Sequence, residues 1–170
     1  MTQDPPVGFE DLTEDNWDEF EDAVIGIEEE SFPEKLQFYD NNFIDLLSTP
    51  GCIARALVSG DYYLGNVIGH PPTEEDLKGE NLEGLVKTEK TLLLATIAIE
   101  PKIRRQGYGR MLLEEFIRCA KYQGYERIVG TFRPNGSLHL IKSMGAKELR
   151  RHPDWGGTGE EYVSCVLELR

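Results

Sequence analysis

Residues 100–116, EPKIRRQGYGRMLLEEF, set Arg104, Arg105 and Arg110 around Gly107 and Gly109, between an apolar run and a helical one. A strand, a glycine turn and a helix N-terminus together make an anion site. The first-turn N–H groups lack intrahelical partners, the macrodipole adds roughly half a positive charge, and glycine lets the main chain approach a phosphate. Two familiar phosphate loops do not fit. No Gly-Lys-Ser/Thr ending follows the glycines, and the third glycine of a dinucleotide fingerprint would fall on Leu112. The phosphates belong to another kind of ligand.

The elements that must position this turn are legible on both sides of it. TLLLATIAI, 91–99, is a continuous apolar run of strand length, which fits a central strand buried on both faces. From about Tyr108, Leu112, Leu113, Phe116, Ile117 and Ala120 form one helical face, Glu114 and Arg118 stand as an i,i+4 pair, and Gly124 stops the helix. YERIVGTF reads as a strand, SLHLIKSM as a short helix stopped at Gly145, and EEYVSCVLEL as a closing strand after a loop containing DWGGTG. Upstream, GFEDL is a short strand, and Thr13 caps a helix from about Glu14 to Glu30 that Pro33 ends. A second helix carries Leu36, Phe43, Ile44, Leu46 and Leu47, and CIARALVS, GD and YYLGNVIG make a hairpin. The polar stretch 70–90 reads as a surface loop. The order predicts an α/β domain with a mixed sheet and helices packed on it.

Composition bounds the rest. A chain of 170 residues with 39% hydrophobic content fits a single domain spanning 1–170. No window approaches a membrane span, and MTQDPPVGFEDL has acids and prolines where an export signal would be basic and then apolar, so we expect a soluble cytoplasmic protein without a membrane partner. Cys52, Cys119 and Cys165 lie far apart without metal-ligand spacing, which predicts reduced thiols and no metal site. A net charge of −13 argues against nucleic-acid binding. That charge is uneven. Residues 1–90 hold 22 acidic against 5 basic residues, a balance of −17, whereas 91–170 hold 9 against 13, or +4.

The stretch TIAIEPKIRRQGYGRMLLEEFIRCAKYQGYERIVGTFRPNGSLHLIKSMGAKE resembles the GCN5-related N-acetyltransferase (GNAT) superfamily. Its pyrophosphate loop, Arg/Gln-x-x-Gly-x-Gly/Ala after the fourth strand, is matched by Arg104, Gly107 and Gly109. The resemblance covers about residues 91–149 and implies a mixed, mostly antiparallel central sheet flanked by helices. It also implies acetyl transfer from acetyl-CoA to a primary amine, either a small amine or polyamine or a peptide or protein amine. On this reading the main chain at Ile97, Ala98 and Ile99 holds the pantetheine arm. Arg104, Arg105, Gln106, Gly107, Tyr108, Gly109 and Arg110 cradle the pyrophosphate, and Asn135 is the counterpart of a cofactor-contacting asparagine. The alternative is an acyl-CoA-binding regulatory or interaction domain without turnover. A homodimer is left open.

Catalysis is harder to read from the residues. An ammonium with a pKa of about 10.4 must lose a proton before it can attack. The strand positions where relatives often carry a base hold Leu93 and Thr131, and the family's tyrosine proton donor maps onto Ile141 or Lys142. Three substitutes stand out. One of Glu28, Glu29 and Glu30, with Glu29 central, precedes a junction that lines the acceptor site in relatives; solvated helix surface is the competing reading. His139, with a reference pKa near about 6.5, competes with an outward helix position. Tyr162 competes with a packing role at the start of the closing strand. Phe32 and Pro33 at the junction, and an exposed Trp155 in the loop 150–161, are candidate acceptor contacts. The charge split predicts a cationic acceptor, activity rising toward alkaline pH and an acceptor KM that grows with salt.

Overall fold

The computed structural model describes residues 5–134 and 136–170. Seven strands form one sheet: β1 (Val7–Asp11), β2 (Ile53–Ser59), β3 (Tyr62–His70), β4 (Thr91–Ile99), β5 (Arg127–Phe132), β6 (Lys147–His152) and β7 (Tyr162–Glu168), in the spatial order β1-β2-β3-β4-β5-β7-β6. Five of the six ladders are antiparallel and only β4 and β5 run parallel, so the expected mixed, mostly antiparallel sheet is observed.

That parallel ladder is short. It joins Thr91–Leu93 to Arg127–Val129 and stops, although β4 continues to Ile99 and β5 to Phe132. On its other edge β4 is paired with β3 from Leu93 to Ile99, except that Ala95 is skipped where Gly69 faces Leu94 and Ile68 faces Thr96. The strands therefore part, and from Leu94 to Ile99 one edge of β4 faces a gap rather than a ladder. A strand edge left open inside a protein presents unpaired N–H and C=O groups to whatever occupies the gap.

Helices α1 (Trp17–Ser31) and α2 (Asp40–Ser48) cover one face of the sheet, and α4 (Tyr108–Tyr122) and α5 (Ser137–Ser143) cover the other. The α4 face holds the largest apolar cluster, with Leu112, Leu113 and Phe116 packed against Ile53, Val67, Leu92 and Ile128. Each side chain so buried stabilises the fold by about 2 kcal/mol. Gly69 is required by this packing, since an added Cβ would lie 2.4 Å from the Phe116 ring.

Three readings need correction, and one strand went unread. The first helix begins at Trp17, because Thr13 and Asn16 close a turn by bonding each other's backbone N–H at 3.2 and 2.8 Å. The 70–90 stretch is not merely a surface loop. It contains α3 (Glu74–Gly79), capped by Thr73, and its Leu77 and Leu82 are fully buried against Leu93 and Val129. KELRRH forms β6, a strand whose charged residues give no apolar alternation because it lies at the sheet edge. Arg118 bonds Glu115 rather than Glu114, whose ion-pair partner is Arg110 at 3.7 Å.

Candidate active site

The 104–110 turn follows directly from the fold. Arg105 and Gly107 both take left-handed backbone angles, with φ of +66° and +87°, which turn the chain out of β4 and into α4. Gly107 is the N-cap of this 15-residue helix and supplies no side-chain cap. Among the described residues, none accepts a hydrogen bond from the backbone N–H groups of residues 104–110. A Cβ built at Gly107 would meet nothing within 4 Å, so the main chain stands open there.

The arginines do not all point at that opening. Arg104 donates through Nε to the Ile99 carbonyl at 3.2 Å and through Nη2 to Ser31 Oγ at 2.9 Å, tying α1 to the end of β4. Arg110 donates to Ser143 Oγ at 3.0 Å and sits beside Glu114, while Arg105 and Gln106 are exposed. Tyr108 and Gly109 open the first helical turn. Ile97, Ala98 and Ile99 lie on the open length of β4, leading straight to the turn. Asn135 lies outside the described residues. A free strand edge that runs into a row of unpartnered helix-terminal amides suits an extended amide-bearing arm ending in a pyrophosphate, so acetyl-CoA fits this groove. At this turn the main chain, more than the guanidinium groups, faces the opening.

The carboxyl chemistry lies on the opposite face from α4. Glu28 is 2% exposed, with one oxygen accepting from the Phe38 N–H and the other from Thr96 Oγ1, both at 3.2 Å. Burial outweighs those two hydrogen bonds and pushes its pKa up to about 7. The spacing of α1 decides which of the three glutamates turns inward. Val24, Ile27 and Glu28 share the buried stripe, whereas Glu29 and Glu30 are exposed. Asn66 belongs to the same face, two residues from the Ile68 that pairs with Thr96; it is 1% exposed and its Nδ2 has no partner.

Glu80, at the end of α3, was missed by sequence reasoning. It accepts a hydrogen bond from Thr131 Oγ1 at 3.3 Å, and burial pushes its pKa up to about 7, with Asp76 adding to the rise. Its only signal in the sequence was the apolar pair Leu77 and Leu82 flanking it, which could have marked the stretch as packed. The other candidates are placed plainly. His139 is exposed on α5. Tyr162 is 4% exposed, accepts from Arg133 Nε at 3.1 Å and lies beside the Trp155 ring. Trp155 is half-buried rather than exposed, with its ring 4.6 Å from that of His152. The half-buried Phe32 and Pro33 begin the α1–α2 junction. That junction meets the β6–β7 loop, because Lys35 Nζ donates to the Gly157 carbonyl at 2.8 Å. The two expected acceptor walls thus touch.

The parallel strand pair thus parts with an open helix N-terminus at its mouth. The profile of the Acetyltransferase (GNAT) family matches residues 9–146, and the chain belongs to that family. The solved structures agree on the fold. The ribosomal-protein-S18-alanine N-acetyltransferase from Escherichia coli superposes with a TM-score of 0.72 at 18% identity, over 96% of this chain and 94% of that one. Arabidopsis thaliana NAA60 in complex with acetyl-CoA gives 0.74 at 12% identity, over 96% and 99%. The GphF GNAT-like decarboxylase in complex with isobutyryl-CoA gives 0.73 at 19% identity, over 96% and 100%. No curated protein matches the chain. Among the described residues, no helix is long and apolar enough to cross a membrane.

Proposed function

We propose that the protein is an acetyl-CoA-dependent N-acetyltransferase whose acceptor is a primary amine that is cationic at neutral pH. The observation that carries this reading is the parting of β4 from β5 beyond Leu93 and Val129, which opens onto the unpartnered amides of 104–110. The open edge of β4 around Ile97–Ile99 holds the amide-bearing arm, and the α4 N-terminus holds the pyrophosphate. Bound there, acetyl-CoA supplies an activated acyl carbon.

The chain's own residues take the proton. Glu28, half ionised near pH 7, accepts it from the acceptor nitrogen through the Thr96 hydroxyl that bridges helix and strand. This replaces Glu29 in the role expected from sequence, since Glu29 faces solvent. Phe32, Pro33 and Trp155 border the acceptor entrance, where the junction and the β6–β7 loop meet. A carboxyl kept near pH 7 by burial has an unfavourable charged form and favours turnover over passive acyl-CoA binding. Calorimetric titration with acetyl-CoA and a transfer assay against a panel of amines test the proposal. Expected are CoA binding and acetylation of cationic amines; binding without transfer to any amine would leave the non-catalytic alternative standing.

A further inference from the structure

Glu80 is the start of a continuous hydrogen-bonded chain. Thr131 Oγ1 lies 3.3 Å from Glu80 Oε2 and 2.7 Å from Ser164 Oγ, and Ser164 Oγ lies 2.7 Å from His152 Nε2. The chain runs across three strands on the face opposite α4, from α3 through β5 and β7 to β6. Its interior is closed, with Ser164 fully buried and His152 6% exposed. Thr131 lies two residues beyond Val129, where the β4–β5 ladder ends. It therefore stands on the β5 side of the gap, as Thr96 with Glu28 stands on the β4 side.

We propose that Glu80 supplies, through the Thr131 hydroxyl, the proton that the departing thiolate takes up during acyl transfer, and that Ser164 and His152 complete this relay. This rests on the acetyl-transfer reading above. The balance is simple. A C–N bond forms as the C–S bond breaks, the nitrogen proton passes to Glu28, the Thr131 hydroxyl proton passes to sulfur, and the Glu80 carboxyl proton passes to Thr131. Glu80, only half-buried as a residue, regains its proton from solvent. On this account Thr131 is the catalytic residue and Glu80 positions and reloads it.

Each hydroxyl has a single proton to donate, so the direction of one bond in the chain constrains the next. At rest, with Glu80 protonated, Glu80 donates to Thr131, Thr131 to Ser164 and Ser164 to His152 Nε2, which leaves the proton of the neutral imidazole on Nδ1; as sulfur departs, Thr131 turns its proton from Ser164 to sulfur. When Glu80 is ionised every bond reverses, and His152 carries its proton on Nε2. Burial and Arg150 hold His152 below its usual pKa, so it is neutral where Glu80 titrates. The charged group acting on Glu80 is Asp76 from α3; from β6, Arg150 donates to the carbonyl of the adjacent Asn81 at 2.8 Å, and the neutral, titratable His152 is reached through the hydrogen-bonded chain. The proton on His152 thus reports the state of Glu80.

The test is nitrogen-15 NMR of His152, one of three histidines in the chain, followed against pH together with kcat and KM. Wild type should exchange its protonated ring nitrogen with a midpoint near pH 7, the value to which Glu80 is raised. Its kcat/KM should fall on the alkaline side as Glu80 loses its proton, in place of the continued rise toward alkaline pH that the charge split alone predicts. Glu80→Gln and Thr131→Val should abolish both effects and lower kcat by about 10–100-fold with acetyl-CoA KM unchanged, while Thr131→Ser should retain both. A His152 step that persists in Glu80→Gln, or an alkaline limb that survives in both Glu80→Gln and Thr131→Val, overturns the relay. Wild type that shows the His152 step but acetylates no amine overturns the functional reading, and the catalytic use of the chain with it.

Discussion

The two sides of the gap are built by different means. On the proposed cofactor side, a run of seven residues, 104–110, presents its main chain, and two positive φ angles and a helix start are enough to aim the amides. On the acceptor side, the groups that can hold a proton are side chains from α1 and α3, brought to β4 and β5 by threonines far away in sequence. A backbone site is specified locally and tolerates changes in its side chains. A buried-carboxyl site depends on the whole face being packed, because burial is what moves the pKa.

The sharpest way to break this contrast is to remove a charge on one side and ask whether the other notices. Glu28→Gln should lower kcat/KM for the acceptor by about 10²–10⁴-fold while leaving the acetyl-CoA Kd unchanged by calorimetry. In wild type the acid limb of the pH profile should fall near pH 7, because Glu28 must be ionised to accept a proton. A variant that kept that limb would return the base to some other group. Leu82→Ala tests whether the acceptor face needs its packing. Leu82 is fully buried with Leu77 against Leu93 and Val129, so the loss should be about 2–5 kcal/mol in urea denaturation, with the Glu80 pKa moving back toward ordinary carboxylate values.

The same burial sets a stability signature. Glu28 in the folded chain titrates near pH 7 against 4.5 when exposed, so folding disfavours its ionised form. Stability carried by the neutral acid is complete below pH 4.5 and is lost as pH rises through 7. Glu28→Gln should therefore gain on wild type between pH 5 and pH 8 by up to about 3 kcal/mol, since one pKa unit is worth about 1.4 kcal/mol. Comparing the two pH values cancels the hydrogen-bond cost of the substitution itself. Gly107→Val then probes the backbone side. A β-branched residue at φ +87° costs at least about 1–2 kcal/mol and sets its Cβ into the open groove, so acetyl-CoA should bind about tenfold or more weakly while the Glu28 pH limb stays in place.

The difference between the sides also explains what the sequence discloses. The apolar run of β4, the glycine turn and the amphipathic face of α4 are contiguous, so their pattern alone places the strand, turn and helix N-terminus. Glu28 stood in a row of three glutamates, and only the phase of α1 against the sheet separates it from Glu29. Glu80 was hidden in a stretch whose acids and glycines read as solvent loop, although two leucines in it are wholly buried. β6 was missed because an edge strand with charged residues carries no alternation to detect. Trp155 looked exposed in a glycine-rich loop, yet it packs on His152, three residues earlier, and lies beside Tyr162, which the β6–β7 pairing sets opposite His152.

The smallest effect expected concerns the acceptor itself. Residues 1–90 carry the −17 balance and supply α1, the junction and α3, all on the acceptor face. Exposed Glu29, Glu30 and Glu34 border the junction, whereas Glu160 and Glu161 are engaged by Arg133 and Arg151 at 3.4 and 2.9 Å. Unengaged exposed acids attract a cation over a Debye length of about 10 Å at 0.1 M salt, and less as salt rises. Acceptor KM should therefore increase by about twofold between 50 and 200 mM salt, estimated from that screening, while acetyl-CoA affinity on the backbone side follows its own salt dependence. Trp155→Ala should change the order of preference among amines without changing the acetyl-CoA Kd, because its ring lies with His152 and Tyr162 rather than near the 104–110 turn. A preference for neutral or acidic amines, with KM indifferent to salt, would assign the acids to solvation of α1 and α3 and leave packing around Trp155 to select the acceptor.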